Sequence, residues 1–326
     1  MSAELLRLMP ATGWWLTLGI ATVLCVASLI GWGLRRRLAG QPNPTIDNLN
    51  QRIQAWWLIA GGVGVAFLGG KSGITLLFAL ASLAAWREYL SSAAMAMGAE
   101  STPSPTASRW PILGTLLVGT QYGLVWYDAQ TLFSLLIPTS ALTAALVLRL
   151  WRQRSPECLA ESRRVLGASL VTVYGVSHVP ALLNLSTATD PQRGAYLLLF
   201  LLLVVQLGDV LQYLWGKLAG RRPIAPTISP GKTVEGTIGG IASAGLLGGV
   251  LSGLTPFGPL TATLLALLLS LLGFVGGLLM SAEKRRRGLK DWGKLLPGHG
   301  GMLDRIDSLF LSAPFFCLLL RDGGID

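Results

Sequence analysis

Asp304 and Asp307 stand three residues apart in the run Asp304-Arg305-Ile306-Asp307. On a helix that spacing places both carboxylates on one face, and hard oxygen ligands of this kind suit Mg2+. Just upstream, Lys284, Arg285 and Lys290, with Arg305 beside the acids, can neutralise a polyphosphate, and an arginine can grip two phosphate oxygens at once. Between these groups the run Pro297-Gly298-His299-Gly300-Gly301 offers backbone with little side-chain bulk, so a phosphate can approach closely. Arg286 and Arg287 need no chemistry, because basic residues behind an apolar run satisfy membrane topology and anionic headgroups. Topology does not call for Gly-His-Gly-Gly followed by Asp-Arg-x-Asp.

A second block lies upstream. Asp209 interrupts the apolar run Ala195 to Trp215, where an acid is costly unless it is paired, solvated or bound to a cation. It is followed by Ser229-Pro230-Gly231-Lys232-Thr233-Val234-Glu235-Gly236, a turn able to aim backbone N–H groups and an ammonium at phosphate. The Gly-Lys-Thr resembles a Walker loop, but Ala225 or Pro226 stands where that loop needs its first glycine and no strand is expected before it, which excludes an ATPase of that type.

These blocks must be positioned by membrane helices. The chain is 52% hydrophobic and 13% charged with a mean hydropathy of +0.56, against roughly 25% charged residues in soluble globular chains. Apolar windows near 12–34, 56–70, 73–86, 110–128, 132–150, 165–185, 195–218, 237–257, 259–281 and 308–320 predict an all-α integral membrane protein, a polytopic bundle of nine to ten transmembrane helices. The first run, Ala11 to Leu34, has Arg35, Arg36 and Arg37 behind it, the reverse of a cleavable signal peptide, and reads as a retained span. With residues 35–55 placed inside, every basic residue except Arg7, Lys71, Arg193 and Arg321 falls on the cytoplasmic side or its flanks, so both chemical blocks face the cytoplasm. The formal charge of +10 is therefore a matter of topology and phosphate chemistry, and no nucleic acid partner is expected. The division is into an N-terminal transmembrane region, 1–194, and a C-terminal catalytic region, 195–326, with cytoplasmic loops 217–236 and 282–307.

Other residues read more plainly. Cys25, Cys158 and Cys317 lack disulfide or metal-ligand spacing. The small-residue run of residues 236–250 suits close helix packing. His178, beside Pro180, satisfies a helix kink, and Glu88, after Arg87 at a span end, makes a salt bridge or a cap or reaches the headgroup site.

The order Ser281, Lys284-Arg285, Lys290-Asp291, Gly293, Pro297, His299-Gly300-Gly301, Asp304-Arg305-Ile306-Asp307 resembles the signature of the CDP-diacylglycerol synthases, or phosphatidate cytidylyltransferases, and Asp209 with Ser229 to Gly236 resembles that family's second motif. The resemblance implies a multi-pass enzyme of a bacterial-type inner membrane with its site facing the cytoplasm. It implies conversion of CTP and phosphatidate into CDP-diacylglycerol and pyrophosphate, Mg2+ and a monovalent cation such as K+ as cofactors, and a homodimer among membrane lipids. By the same resemblance Asp304, Asp307 and Asp209 are metal ligands. Ser229, Lys232, Thr233, Glu235, Ser281, Lys284, Arg285, Gly300 and Gly301 bind substrate, and Lys290, Asp291, His299 and Arg305 are catalytic. The sequence departs from the family at Gly277, where a metal-binding aspartate is usual, at Met280, often an acid, and at Glu283, usually apolar. These departures imply a divergent branch whose acceptor lipid can differ from phosphatidate, and in which either Glu283 or Asp209 supplies the absent oxygen or the site holds fewer metal ions. A CTP-dependent kinase or a cytidylyltransferase for isoprenoid lipids, and a nucleotide- or lipid-binding membrane protein without turnover, stay open as alternatives. A transporter is disfavoured because the polar groups gather on one face.

Overall fold

A computed structural model describes residues 11–37, 43–96, 110–150, 156–293, 295 and 300–322. Helices occupy each of the ten apolar windows. In chain order they are α1 (Ala11–Arg37), α2 (Pro44–Leu68), α3 (Gly70–Ala96), α4 (Trp110–Trp126), α5 (Gln130–Leu150) and α6 (Pro156–Ala168). The helix running through α6 continues as a π-helical stretch (Ser169–Gly175), α7 (Val176–Ala181) and a 3-10 turn (Leu182–Leu185). After it come α8 (Arg193–Ala219), the strands β1 (Pro223–Ala225) and β2 (Ser229–Thr233), α9 (Val234–Val250), α10 (Pro259–Arg286), α11 (Leu303–Ile306) and α12 (Leu309–Asp322). Among the described residues five stretches are long and apolar enough to cross a membrane: Gln130–Val147, Leu159–Leu185, Arg193–Ala219, Val234–Leu254 and Pro259–Arg286. The nine to ten crossings expected are not confirmed beyond these five; windows such as 73–86 and 308–320 are short for a hydrocarbon core that needs roughly 20 apolar residues.

The structure corrects the expectation that no strand precedes the Gly-Lys-Thr run: an antiparallel hairpin pairs β1 with β2, Pro223 opposite Thr233 and Ala225 opposite Ser229, although Pro226 still stands where a Walker loop has its first glycine. It forms in the loop between α8 and α9 because Thr233, in extended conformation, ends β2 and at once caps α9, its Oγ1 accepting the Gly236 N–H at 3.1 Å. Small residues then let α9 lie on α8 at backbone distance. A Cβ at Gly236 would meet the Gly216 Cα at 2.8 Å, and one at Gly239 would meet the Trp215 ring at 2.7 Å. The core runs between α8, α10, α12 and the broken helix, through Leu197, Phe200, Leu201, Leu269 and Phe316, all essentially inaccessible. The broken helix is where α12 comes closest, since a Cβ at Gly175 would stand 2.7 Å from Phe310. His178 bonds the Tyr174 carbonyl oxygen through Nδ1 at 2.8 Å inside that helix, which agrees with a structural role.

Candidate active site

The two chemical blocks meet where the C-terminal parts of α8 and α10 reach the hairpin. Lys232, on β2, extends inward until its Nζ lies 4.7 Å from the centroid of the Phe274 ring on α10. A Cβ at Gly277 would stand 3.2 Å from that ammonium and 3.8 Å from Asp307 Oδ2, so lysine and carboxylate are neighbours across the bare face of the glycine. Asp209, from α8, is the other acid beside Lys232 and Asp307. Burial pulls the Lys232 ammonium below its ordinary pKa against the pull of the two carboxylates, and burial followed by the Asp209 charge pushes the Asp307 carboxyl up to about 7. Two acids thus compete for one ammonium in a desolvated place. Arg305 lies close to Asp209, and its buried Nε has no hydrogen-bond partner among the described residues. A buried donor left without an acceptor is costly, so this N–H is a candidate to bind an anionic group.

Other residues of the signature hold the architecture. Asp304 is almost wholly buried, with 5% of its side chain exposed, and it pairs through Oδ1 with Lys284 Nζ at 2.6 Å. Its Oδ2 accepts the N–H groups of Trp292 and Gly301, each at 2.9 Å. The same carboxylate explains Gly300, whose φ of 80° is left-handed and whose Cβ would fall 2.7 Å from Asp304 Oδ2. Arg285 ties the hairpin to the loop after α10, its Nε donating to the Ile228 carbonyl oxygen at 3.1 Å and its Nη1 to that of Leu289 at 2.9 Å. Glu235 accepts the N–H groups of Arg221 and Arg222 at 3.0 and 3.1 Å and the Arg222 Nε at 3.0 Å, closing the base of the hairpin.

The placement of the expected site residues is therefore uneven. Asp209, Lys232, Arg305 and Asp307 converge, and Lys284 adjoins them through Asp304. Ser229 is half-buried on β2 and Ser281 half-buried on α10, while Lys290 and Asp291 are exposed on the loop behind α10. The Thr233 hydroxyl is engaged in its helix cap. His299 lies outside the described residues. Glu283 does not supply the oxygen absent at Gly277: it pairs with Arg286 at 3.0 Å and with Arg287 at 2.8 Å, away from Lys232.

Mg2+ commonly takes one or two carboxylates and completes its octahedron with phosphate oxygens and water. Asp209 and Asp307 fit that donor set, whereas both Asp304 oxygens are committed to Lys284 and the two backbone N–H groups. Among the described residues no group of three or more His, Cys, Asp and Glu is arranged around a common point, so a bound ion would draw the rest of its shell from substrate and solvent.

The sequence matches the cytidylyltransferase family over residues 50–321. It is 38% identical over 310 residues to the uncharacterized protein YnbB of Escherichia coli, covering 92% of this chain and 95% of that one. It is 35% identical over 219 residues to the phosphatidate cytidylyltransferase of Helicobacter pylori, covering 63% of this chain and 79% of the relative. Against the phosphatidate cytidylyltransferase of Haemophilus influenzae the identity is 41% over 133 residues, 39% of this chain and 46% of the relative.

Proposed function

The chain belongs to the cytidylyltransferase family, and from that premise we propose that it transfers the cytidylyl group of CTP to the phosphate of a membrane lipid. Phosphatidate is the acceptor proposed first, because two relatives are named for it; the products are then CDP-diacylglycerol and pyrophosphate. The observation that carries the reading is the convergence of Asp209, Asp307, Lys232 and the Arg305 Nε, which has no partner among the described residues: two acids and two bases drawn together from the two sequence blocks. Such a set suits anionic phosphate groups accompanied by a divalent cation.

In the proposed reaction a lipid phosphate oxygen attacks the α-phosphorus of CTP, a new P–O bond forms, and the bond from that phosphorus to the bridging oxygen of the β-phosphate breaks as pyrophosphate leaves. The lipid phosphate is already an anion, so no strong general base is required. Mg2+ bound by Asp209 and Asp307 would supply charge neutralisation for the phosphates. Arg305 donates into the site from Nε and holds negative charge on the transferring group. Lys232 sets the separation of the two carboxylates and contributes a second cation. The Lys284–Asp304 pair holds Gly300 and Gly301 against the end of α10, which keeps the loop backbone in place. The clustering of basic residues on one set of loops supports a site on the cytoplasmic face of an inner membrane, where CTP is supplied.

The test is incubation of the purified, lipid-reconstituted protein with α-labelled CTP, Mg2+ and a panel of lipid phosphates, followed by mass analysis of the lipid fraction. Label in a CDP-lipid, with pyrophosphate released in equal amount, is expected. Release of CDP with an unlabelled phosphorylated lipid identifies a kinase, and label in no lipid refutes the transfer.

A further inference from the structure

Glu88 lies in the last turns of α3, far in sequence from both chemical blocks, yet its carboxylate ends inside the signature loop. Oε1 accepts the N–H of Met302 at 2.9 Å and Oε2 accepts the N–H of Leu303 at 2.8 Å. The loop is cut to fit it: a Cβ at Gly293 would stand 2.6 Å from Oε1, and one at Gly301 would collide with the carboxylate. The contact is reinforced on the next residue. Arg287 donates from Nη1 to the Tyr89 carbonyl oxygen at 2.6 Å and lies 4.1 Å from the Tyr89 ring centroid and 5.0 Å from that of Trp292. Tyr89 and Trp292 stack at 5.2 Å with their planes 19° apart. Arg287 is thus 9% exposed in its side chain, held between aromatic rings and the Glu283 carboxylate.

A carboxylate bonded to two successive backbone N–H groups fixes the peptide planes between them more firmly than a single bond could, and charge-assisted bonds are the stronger kind. Those planes lead directly into Asp304 and Arg305, and the preceding residue is Gly301, whose own N–H is held by Asp304. We propose that Glu88 is a positioning residue for cytidylyl transfer: it locks the segment from Gly301 to Leu303 so that Arg305 and Asp307 face Lys232 and Asp209. The inference rests on the proposed function for its catalytic consequence, while the lock itself stands on the geometry. It makes α3 part of the catalytic machinery.

Glu88→Gln tests it. The glutamine keeps the volume, but its amide accepts at one oxygen only and turns an NH2 toward the other N–H. In full-length protein reconstituted in lipid, hydrogen exchange of peptides covering residues 300–308 is expected to quicken, and kcat/KM for CTP to fall about 100-fold, the usual scale of a small misplacement at a reacting centre. The KM for CTP is expected to rise while the KM for the lipid phosphate stays unchanged, a split that a general loss of folded protein does not produce, since fewer active sites lower apparent kcat and leave both KM values as they were. Exchange equal to that of the unsubstituted chain overturns the lock, and quicker exchange with undiminished kcat/KM overturns its role in positioning. If the unsubstituted chain transfers no cytidylyl group, the proposed function falls by itself, and the exchange measurement still decides the lock. Should Glu88→Gln fail to fold, Glu88→Asp, too short by one methylene to reach both N–H groups, carries the same measurements.

Discussion

Asp304→Asn separates a clasp from a metal ligand. The Lys284 and Asp304 side chains are 12% and 5% exposed and their charged atoms are 2.6 Å apart. Removing the carboxylate charge leaves a buried ammonium without its counter-ion, a change that costs about 3–5 kcal/mol. The asparagine oxygen can still accept from Trp292 or Gly301, but as a neutral acceptor, so each bond drops from the range of about 1.5–3 kcal/mol toward about 1 kcal/mol. With melting temperatures moving by roughly 2–4 °C per kcal/mol in larger domains, a fall of about 10 °C is expected. The assay is thermal unfolding in detergent followed by tryptophan fluorescence, for Asp304→Asn, Lys284→Met and the double variant. Because loss of both charges leaves no unpaired ion, the double variant is expected to melt well above the additive value, with a coupling of about 2 kcal/mol. Additivity to within about 0.5 kcal/mol would refute the pairing. So would an unchanged melting temperature with a defect confined to the Mg2+ requirement, since that is how a direct metal ligand behaves.

Arg305→Lys removes the fork that presents Nε while keeping the charge; kcat is expected to fall by about 100-fold with little change in melting temperature, and steady-state kinetics on α-labelled CTP checks it. Asp209→Asn and Asp307→Asn are each expected to raise the Mg2+ concentration needed for half-maximal turnover at least about tenfold, read from a metal titration. In Gly240→Ala the new Cβ would lie 2.5 Å from the Gln212 backbone, which forces α9 away from α8 at a cost of about 1–3 kcal/mol. Its melting temperature is expected to drop, whereas alanine at Gly253, with open space around it, is expected to leave it unchanged.

Hydropathy is a property of contiguous residues, and an apolar run must become a helix in a membrane because no other local structure satisfies its backbone N–H and C=O groups. The helical windows and the membrane class therefore follow from sequence alone, as does the clustering of Asp304, Arg305 and Asp307 with the basic residues before them. The match of the two blocks to a cytidylyltransferase signature was legible for the same reason: its residues sit at fixed short spacings. The number of helices able to cross was less legible, since short windows such as 73–86 and 308–320 look apolar whether they span or pack. The use made of each polar group could not be read along the chain at all. Asp304 looks equivalent to Asp307 in sequence, yet packing brings Lys284 and two backbone N–H groups to the first and leaves the second facing Lys232 and Asp209. Glu235 reads as a phosphate-site residue and closes a hairpin, and Arg287 reads as a topological charge and packs against both Tyr89 and Trp292. Glu88 reads as a local cap and serves amides more than two hundred residues away. These assignments depend on which helix lies beside which loop, and such contacts between segments remote in sequence are decided only when the bundle closes.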